Sequence, residues 1–328
     1  MNFNGIKINS KPVLCNYYVT YRCNAKCSFC DIWEKPSPYI NIENATNNLK
    51  DLKKLGVNVI DFTGGEPLLH QQLNELLKIA KNLGFITTVT TNTLLYPKLA
   101  EKLKGLIDML HFSLDSPNEN EHNESRGVNL FSHFEKSIEI AKNLKEKPDI
   151  LFTVFSHNIH QIEEVYQKYC LPNKLMLILN PVFEYQDVGS NLSLEDLNLL
   201  SAYSKKPWIY LNEGFIELRK DGGNQINNPV CKAASTTIVI SPENKLILPC
   251  YHLGVKEFDI NNDLYHLWHS KVVQEEIKKE GRLEACQGCT INCYMQPSFA
   301  VNINKYWFKA LPSTIKYNLK KGNWKQLI

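Results

Sequence analysis

Three cysteines near the start of the chain form the strongest chemical signal in the sequence. Cys23, Cys27 and Cys30 stand in a C-x3-C-x2-C pattern directly after VLCNYYVT, a segment with the composition of a β-strand. Thiolates are the ligands that hold iron–sulfur clusters in proteins. Three thiolates on one loop bind three irons of a cubane and leave the fourth iron open, as in a catalytic centre. A zinc site is the alternative, but it requires a nearby fourth ligand, and the closest histidine is His70.

A second set of cysteines lies in the last third of the chain. Cys231 and Cys250 flank a predicted hairpin, and Cys286, Cys289 and Cys293 follow it. The start of the chain lacks the apolar core of a secretory signal, so we expect the thiols to stay reduced and to bind metal. Five thiols suffice for one cluster with four cysteine ligands. Structural zinc is the alternative, because C-x2-C also occurs in zinc knuckles.

Short β-rich segments alternate with helical patterns between Val13 and Val182. This alternation predicts parallel strands joined by helical crossovers. Six units are too few for an eight-fold barrel, so we predict an α/β fold with a partial (β/α)6 TIM-like barrel and its chemistry at the carboxyl ends of the strands. A doubly wound sheet is the alternative. The predicted strands are 13–20, 57–64, 85–91, 107–115, 149–155 and 174–182.

The pattern changes after about residue 190. Residues 236–250 predict a β-hairpin that turns at Pro242–Lys245, and a helix is predicted near 263–279. We therefore divide the chain into three parts. These are a core barrel over 1–210, a small cysteine-rich α+β subdomain over 211–296, and a basic aromatic tail over 297–328.

The N-terminal part of the chain, which contains the six predicted strands, resembles the radical S-adenosylmethionine (SAM) superfamily, in which this cysteine triad follows the first barrel strand. Thr63-Gly64-Gly65-Glu66-Pro67 ends the second strand and resembles the GGE motif that binds the amino group of SAM. Glycines allow the backbone to approach a ligand, and Glu66 or exposed carbonyls accept hydrogen bonds from an ammonium. Phe29 resembles the aromatic residue beside the adenine. Val182 ends the sixth strand, where family members present backbone to the adenine.

Other polar residues stand at the strand ends where this family binds SAM. Thr91 and Asn92 close the third strand, and Ser113 and Asp115 close the fourth. The resemblance assigns these positions to the ribose hydroxyls and the methionine carboxylate. Arg126 resembles an arginine that pairs with that carboxylate, for which its planar fork is suited. Turn formation or helix capping is the alternative for Thr91, Asn92 and Asp115.

The resemblance implies a mechanism and its cofactors. A reduced [4Fe–4S] cluster donates one electron to SAM, which breaks into methionine and a 5′-deoxyadenosyl radical that abstracts hydrogen from, or adds to, a substrate. The second cysteine set resembles the SPASM or twitch subdomains that carry an auxiliary [4Fe–4S] cluster. Cys231, Cys250, Cys286 and Cys289 fit a twitch, and Cys293 either substitutes for one of them or remains free.

Two features bear on the substrate. Residues 286–300, CQGCTINCYMQPSFA, resemble a segment of the family's hopanoid adenosyl-transferring branch. The tail interleaves aromatic and aliphatic residues with lysines and contains no acidic residue. Together they hint at a lipid or isoprenoid substrate and at peripheral contact of the tail with an anionic membrane. The sequence favours more strongly a tail that packs over the second cluster, and a solvated charged end is a further alternative.

Two other function classes compete. The first is a SPASM-type peptide-modifying maturase, although the short segment before Val13 argues against a built-in peptide-recognition domain. The second is a non-catalytic iron–sulfur or zinc protein, which the SAM-binding pattern disfavours. We expect a cytoplasmic protein without a membrane span. Its expected partners are a small-molecule, lipid or peptide substrate and an external one-electron reductant, with no nucleic acid. Three residues are expected to be structural: Cys15, Cys170 and His111. His252, two residues after Cys250, is expected to be a plain loop histidine, with an approach to the auxiliary site as the alternative.

Overall fold

The computed structural model describes residues 6–7, 11–183 and 192–322. Within these ranges the strands are β1 (Ile6–Lys7), β2 (Leu14–Thr20), β3 (Val59–Gly64), β4 (Ile86–Thr91), β5 (Met109–Leu114), β6 (Asp149–Val154), β7 (Leu177–Pro181), β8 (Ile209–Tyr210), β9 (Thr237–Ile240), β10 (Lys245–Leu248), β11 (Lys256–Asp259) and β12 (Asn302–Ile303). The six strands expected from the sequence are all present, as β2 to β7.

One sheet contains ten of these strands, in the order β11-β10-β9-β2-β3-β4-β5-β6-β7-β8. Neighbouring strands from β9 to β8 are parallel, whereas β10 and β11 are antiparallel. The parallel part is the predicted partial TIM-like barrel, and the sheet is not closed. Its strands end on the same side, where the loops that follow β2 to β7 meet.

Helices cover the outer face of this sheet. In the described ranges they are α1 (Ile42–Leu55), α2 (Leu73–Asn82), α3 (Tyr96–Leu103), α4 (Glu119–Arg126), α5 (Phe131–Asn143), α6 (Ile162–Val165), α7 (Leu171–Asn173), α8 (Leu194–Tyr203), α9 (Glu213–Lys220), α10 (Ala233–Thr236), α11 (Leu264–His269), α12 (Lys271–Ile277), α13 (Asn292–Ala300) and α14 (Lys305–Lys321). The first crossover shows why they form. Asn41 caps the start of α1 with its side chain, and Gly56 ends the helix in the left-handed conformation. Leu49, Leu52 and Phe62 are fully buried between helix and sheet.

The hairpin β9–β10 extends the barrel sheet. β9 lies parallel to β2, with Leu14 opposite Thr237 and Tyr17 opposite Ile240. Asn244 occupies the predicted turn with a positive φ of 63°, which asparagine tolerates. The subdomain that begins near residue 211 therefore shares its hydrogen-bonded sheet with the barrel.

The C-terminal segment is folded against the barrel. α14 packs along α9 and β8, and the Tyr317 hydroxyl donates to an Asp149 carboxylate oxygen at 2.5 Å. Lys321 pairs with the same carboxylate at 2.7 Å. The described residues of the tail therefore pack on the body of the protein and do not form a solvated charged end. Trp324 and Lys325 lie outside the described residues. No helix in the described part of the chain has the length and apolarity needed to span a bilayer.

Candidate active site

The cysteine triad lies on the loop that follows β2. The Cys23, Cys27 and Cys30 side chains line one cavity of about 310 Å³ at the carboxyl ends of the barrel strands. Backbone bonds fix the loop against the end of α4, because Lys26 N–H donates to the Arg126 carbonyl at 2.9 Å and Ser28 N–H to the Ser125 carbonyl at 3.1 Å. The loop that carries the thiols is therefore fixed at its middle by these two hydrogen bonds, where it borders the cavity.

The environment of these thiols suits a cationic cluster. Burial raises the pKa of Cys23 to about 12, and burial also raises the pKa of Cys27 and of Cys30. The sulfurs lie near enough to raise one another's pKa, while N–H groups point at them, such as Ala25 N–H at 3.4 Å from Cys23 Sγ. A bound metal supplies the positive charge that makes the thiolates stable.

A cubane is also consistent with the spacing of the donors. Across residues 6–7, 11–183 and 192–322, no group of three His, Cys, Asp or Glu side chains converges on one ion position. Each cysteine of a cubane binds a different iron, so its ligands do not have to converge on one ion. Thiol donors around a shared cavity therefore fit an iron–sulfur cluster.

The glycine loop after β3 is pressed against the cysteine loop. Gly65 N–H donates to the Thr20 carbonyl at 3.0 Å, and Glu66 N–H donates to the Arg22 carbonyl at 2.9 Å. A Cβ on Gly65 would lie 2.3 Å from the Arg22 oxygen, and one on Gly64 would lie 2.0 Å from the Thr20 oxygen. Both positions require glycine because a side chain would push the two loops apart.

We expect Gly65→Ala to displace the cysteine loop. The overlap should lower the free energy of unfolding by about 2 kcal/mol and reduce the iron bound after reconstitution. Gly105→Ala is the control for iron binding: its φ of +72° should cost an alanine about 1 kcal/mol of stability, but nothing lies within 4 Å of a Cβ there, so the bound iron should be unchanged. Iron assays and urea unfolding measure both effects. Wild-type iron binding by Gly65→Ala would contradict this role of the close contact.

Glu66 accepts several hydrogen bonds within the protein. Its carboxylate accepts from the Thr91 hydroxyl at 2.8 Å, from Asn92 N–H at 2.8 Å and from Leu68 N–H at 3.0 Å. Burial raises its pKa to about 7, although these bonds oppose the rise. The sequence offered Glu66 or exposed carbonyls as the acceptors of an ammonium. These bonds tie the loop after β3 to the end of β4. A carboxylate oxygen accepts more than one hydrogen bond, and Oε2 has a single donor here, so Glu66 and the exposed carbonyls of the loop both remain possible acceptors of the ammonium.

Arg126 and Asp115 form a buried ion pair. The Arg126 Nε lies 2.6 Å from one Asp115 oxygen, and Nη2 donates to the other at 2.7 Å. The remaining Nη1 points at Cys27 Sγ, 3.8 Å away. The resemblance placed Arg126 at the methionine carboxylate of SAM and Asp115 among the groups around its ribose hydroxyls and that carboxylate. The structure keeps Arg126 in the cavity lining, whereas Asp115 is not part of that lining and instead positions the guanidinium.

The other residues assigned to SAM all reach the cavity. Phe29 stands beside the guanidinium of Arg126, with 5.4 Å from its ring centroid to Arg126 Cζ. Asn92 reaches back to the cysteine loop, donating to the Asn24 side chain at 2.7 Å. The cavity lining includes these assigned residues: Phe29, Gly64, Gly65, Glu66, Thr91, Asn92, Ser113, Arg126 and Val182.

Four cysteines of the second set line a separate, smaller cavity. Cys231, Cys250, Cys286 and Cys289 surround it, and burial raises the pKa of every one of these thiols. Cys289 lies near enough to Cys231 and Cys250 to raise their pKa further. Four mutually close thiols fit a cluster with four cysteine ligands.

Asn224 ties the segments of this second site together. Its amide donates to the Gly281 carbonyl at 2.8 Å and to the Cys286 carbonyl at 3.1 Å, and its oxygen accepts from Cys231 N–H at 3.1 Å. Its backbone N–H donates to the Cys289 carbonyl at 3.0 Å. The side chain is completely buried. Sequence reasoning missed this residue, since a lone asparagine in a loop carries no pattern.

Cys293 faces the first cavity instead of the second. It follows Asn292 at the start of α13 and lines the space that holds the triad, together with Tyr251 and His252. Burial raises the pKa of Cys293 to about 11 and lowers that of His252 to about 4, so both are neutral at pH 7. His252 lies in a loop, as expected, and its side chain forms part of the wall of the first cavity but not of the second. Cys15, Cys170 and His111 are buried or half-buried in the barrel, outside both cavity linings.

We expect Cys293→Ser to retain the iron of both sites, about eight atoms per chain, because Cys293 does not belong to either thiol group. Cys289→Ser is the matched variant and should lose about half of that iron. Iron and sulfide assays after reconstitution separate the two. Equal losses in both variants would make Cys293 a ligand.

The fold and the cavity define a partial α/β barrel whose site lies at the strand ends, with a cluster-type thiol triad on its first loop. Residues 17–169 match the family model described as the radical SAM superfamily. These residues of the chain therefore form a radical SAM domain. Members of this superfamily bind a [4Fe–4S] cluster and SAM, and the cavity residues fit both.

Relatives with named activities are similar to this chain over stretches of different length. GTP 3′,8-cyclase of Clostridium botulinum is 29% identical over 284 residues, which cover 79% of this chain and 85% of that protein. The S-adenosylmethionine-dependent nucleotide dehydratase RSAD2 of Siniperca chuatsi is 35% identical over 111 residues, 32% of this chain. That match spans 31% of the length of the RSAD2 protein.

Solved structures share the fold across both parts of the chain. Streptococcus suis SuiB bound to S-adenosylmethionine matches with a TM-score of 0.65 and 22% identity, covering 82% of this chain and 68% of SuiB. Native anSMEcpe with bound AdoMet matches with a TM-score of 0.64 and 19% identity, covering 95% of this chain and 100% of that one. At these identities the likeness describes the fold alone.

Proposed function

We propose that this protein cleaves SAM reductively at a [4Fe–4S] cluster held by Cys23, Cys27 and Cys30, and so starts radical chemistry on a second molecule. The observation that carries the proposal is the shared cavity of the thiol triad, the glycine loop and Arg126. When bound there, cluster and SAM supply one-electron cleavage of a carbon–sulfur bond, with a 5′-deoxyadenosyl radical as the reactive product.

The chain's own residues would hold and enclose these groups. The Gly64–Gly65 backbone offers carbonyl acceptors to an ammonium, because no side chain covers it. Arg126 brings a fixed positive charge close to Cys27, and Asp115 keeps that guanidinium oriented. Phe29 and Val182 offer apolar contacts on the cavity wall. These residues orient the reactants and exclude water, as radical chemistry requires.

We assign the second cysteine group to an auxiliary [4Fe–4S] cluster with Cys231, Cys250, Cys286 and Cys289 as ligands. Four thiols line that cavity, and they come from three segments, of which Asn224 joins the one with Cys231 to the one with Cys286 and Cys289. A zinc site on the same thiols is the competing assignment, and metal analysis distinguishes them.

The substrate would enter the side of the cavity formed by the C-terminal part. Tyr251, His252 and Cys293 line that side, and Tyr251 stacks on Tyr18 of β2 at 4.3 Å between ring centroids. A lipid or isoprenoid substrate is our first candidate class, because the outer face of α14 is apolar. A peptide is the second candidate. It is favoured by the shared fold with SuiB bound to precursor peptide SuiA and anSMEcpe bound to the Cp18Cys peptide.

Anaerobic reconstitution tests the proposal. The protein is supplied with iron and sulfide, reduced with dithionite and incubated with SAM, and 5′-deoxyadenosine is measured by chromatography. We expect about eight irons per chain and formation of 5′-deoxyadenosine. Bound zinc without this product would overturn the proposal in favour of a non-catalytic metal protein.

A further inference from the structure

The side of α14 that points away from the barrel is apolar. Phe308, Ile315 and Leu319 are 60%, 37% and 64% exposed. Pro312 is exposed between them, and Leu311 is half-buried. At 3.6 residues per turn these five positions form one continuous stripe along the helix. We call it the α14 stripe.

The side of α14 that packs on the protein is instead rich in hydroxyl groups. Tyr306 donates to Asp221 at 2.7 Å, Tyr317 donates to Asp149 at 2.5 Å, and Ser313 is buried. A helix on a protein surface normally has the opposite arrangement, with apolar residues inward and polar residues outward.

Tyr306 and Ala310 on the inward side also belong to a hydrophobic cluster, in which Tyr306 stacks on Phe299 at 5.5 Å between ring centroids. Since these inward contacts hold the helix in place, the fold does not account for the apolar residues of the stripe.

Lysines flank the α14 stripe, and α14 contains no acidic residue. On one side are Lys305 and Lys309, whose side chains are 54% and 58% exposed, and Lys320, which is also exposed. Lys305 pairs with Asp221, and Lys309 lies 3.9 Å from a Glu217 oxygen, so a lipid phosphate would compete with these carboxylates.

Lys147 is exposed near the end of the helix, whereas the side chain of Lys321 is 10% exposed and pairs with Asp149. An exposed apolar stripe with a lysine border is typical of helices that lie in the headgroup region of an anionic bilayer.

We propose that the α14 stripe docks this protein onto an anionic bilayer surface as a peripheral contact. Phe308, Ile315 and Leu319 enter the headgroup–acyl boundary, while the lysines pair with lipid phosphates. A second copy of the chain fits the surface less well, since a two-fold contact through the same face would bring the lysine borders toward each other. The contact does not depend on SAM cleavage.

Vesicle sedimentation of the full-length protein tests this docking. We expect binding to vesicles of phosphatidylcholine mixed with phosphatidylglycerol and much weaker binding to phosphatidylcholine alone. Phe308→Gln with Leu319→Gln should lower the apparent affinity at least about tenfold, because two apolar side chains no longer enter the bilayer. Leu194→Gln with Leu199→Gln is the matched control on α8, where the leucines are 63% and 42% exposed. This control should bind as the wild type does.

The lysine border has its own variant pair. Lys309→Gln with Lys320→Gln should lower binding to the anionic vesicles by roughly tenfold and make it less sensitive to salt. Lys278→Gln with Lys279→Gln is the control, since these side chains are 69% and 52% exposed but lie outside α14.

Absence of vesicle binding, or equal losses in stripe and control variants, would overturn the proposal. If the wild type did not bind vesicles but formed a dimer, and only the stripe variant lost that dimer, the surface would instead be a contact with a second copy of the chain. Formation of 5′-deoxyadenosine without vesicles should be unchanged in the stripe variant, so the two proposals fail independently.

Discussion

Cys27→Ala is expected to abolish 5′-deoxyadenosine formation while the chain stays folded. The thiol faces the cavity, where its sulfur lies 3.8 Å from the Arg126 guanidinium, and it is not part of the hydrophobic core of the barrel. Its removal leaves two thiolates for a cluster that needs three, so the cluster cannot be held and about half of the iron should be lost. The assay is chromatography of the reduced, SAM-treated protein, with circular dichroism as the check on folding.

Cys170→Ala is the matched control for this variant. Cys170 is also a buried thiol, 0% exposed, but it lies in the hydrophobic core of the barrel and outside both cavities. It should retain iron and product formation and lose about 1 kcal/mol of stability through the small cavity it leaves. Full turnover by Cys27→Ala would refute the assignment of the triad to the catalytic cluster.

Asn224→Ala is expected to have the second largest effect, the loss of the second cluster. The substitution leaves two carbonyls and two N–H groups without the partner that links the Cys231 and Cys286 segments. Each buried group that loses its hydrogen bond costs about 1–3 kcal/mol, so the segment around the second cavity should no longer hold its cysteines together. Iron content should fall toward about four per chain, and Mössbauer or electron paramagnetic resonance spectra should keep the signal of the first cluster.

Two further variants separate a local effect from general destabilisation. Asn224→Asp keeps the oxygen that accepts from Val230 and Cys231. It sets a second oxygen against the Gly281 and Cys286 carbonyls, so it should lose the second-site iron as Asn224→Ala does and show that the amide donor is required.

Asn48→Ala removes another buried asparagine, which donates to the Tyr17 hydroxyl at 2.8 Å. If Asn48→Ala lost as much second-site iron as Asn224→Ala, the linking role of Asn224 would be wrong.

The barrel could be predicted from sequence because its determinants are local. The strands from β2 to β7 are short runs rich in apolar and β-branched residues that end in polar residues, and the helices between them carry a helical period, with asparagine caps at α1 and α4. The glycine loop and the cysteine triad follow consecutive parallel strands, whose carboxyl ends meet at one edge of the sheet. The shared cavity of the two motifs follows from that topology.

Pairings distant in sequence could not be predicted in the same way. Nothing in residues 237–240 distinguishes an isolated hairpin from a strand beside β2. The side of α13 that carries Cys293 is decided by how that helix packs, so sequence proximity grouped Cys293 with Cys289 although the two line different cavities. The orientation of α14 was hidden for a similar reason. A helix with hydroxyls on one side and leucines on the other is expected to bury the leucines.

The parallel pairing of β9 with β2 also bears on how the protein could be divided for expression. A fragment that ended at residue 210 would leave β2 as an edge strand, with the backbone from Leu14 to Tyr17 deprived of its neighbour. Unprotected edges of this kind recruit other strands and cause aggregation. The barrel therefore depends on a strand from the last third of the chain, Thr237–Ile240, and both halves should unfold as one cooperative unit.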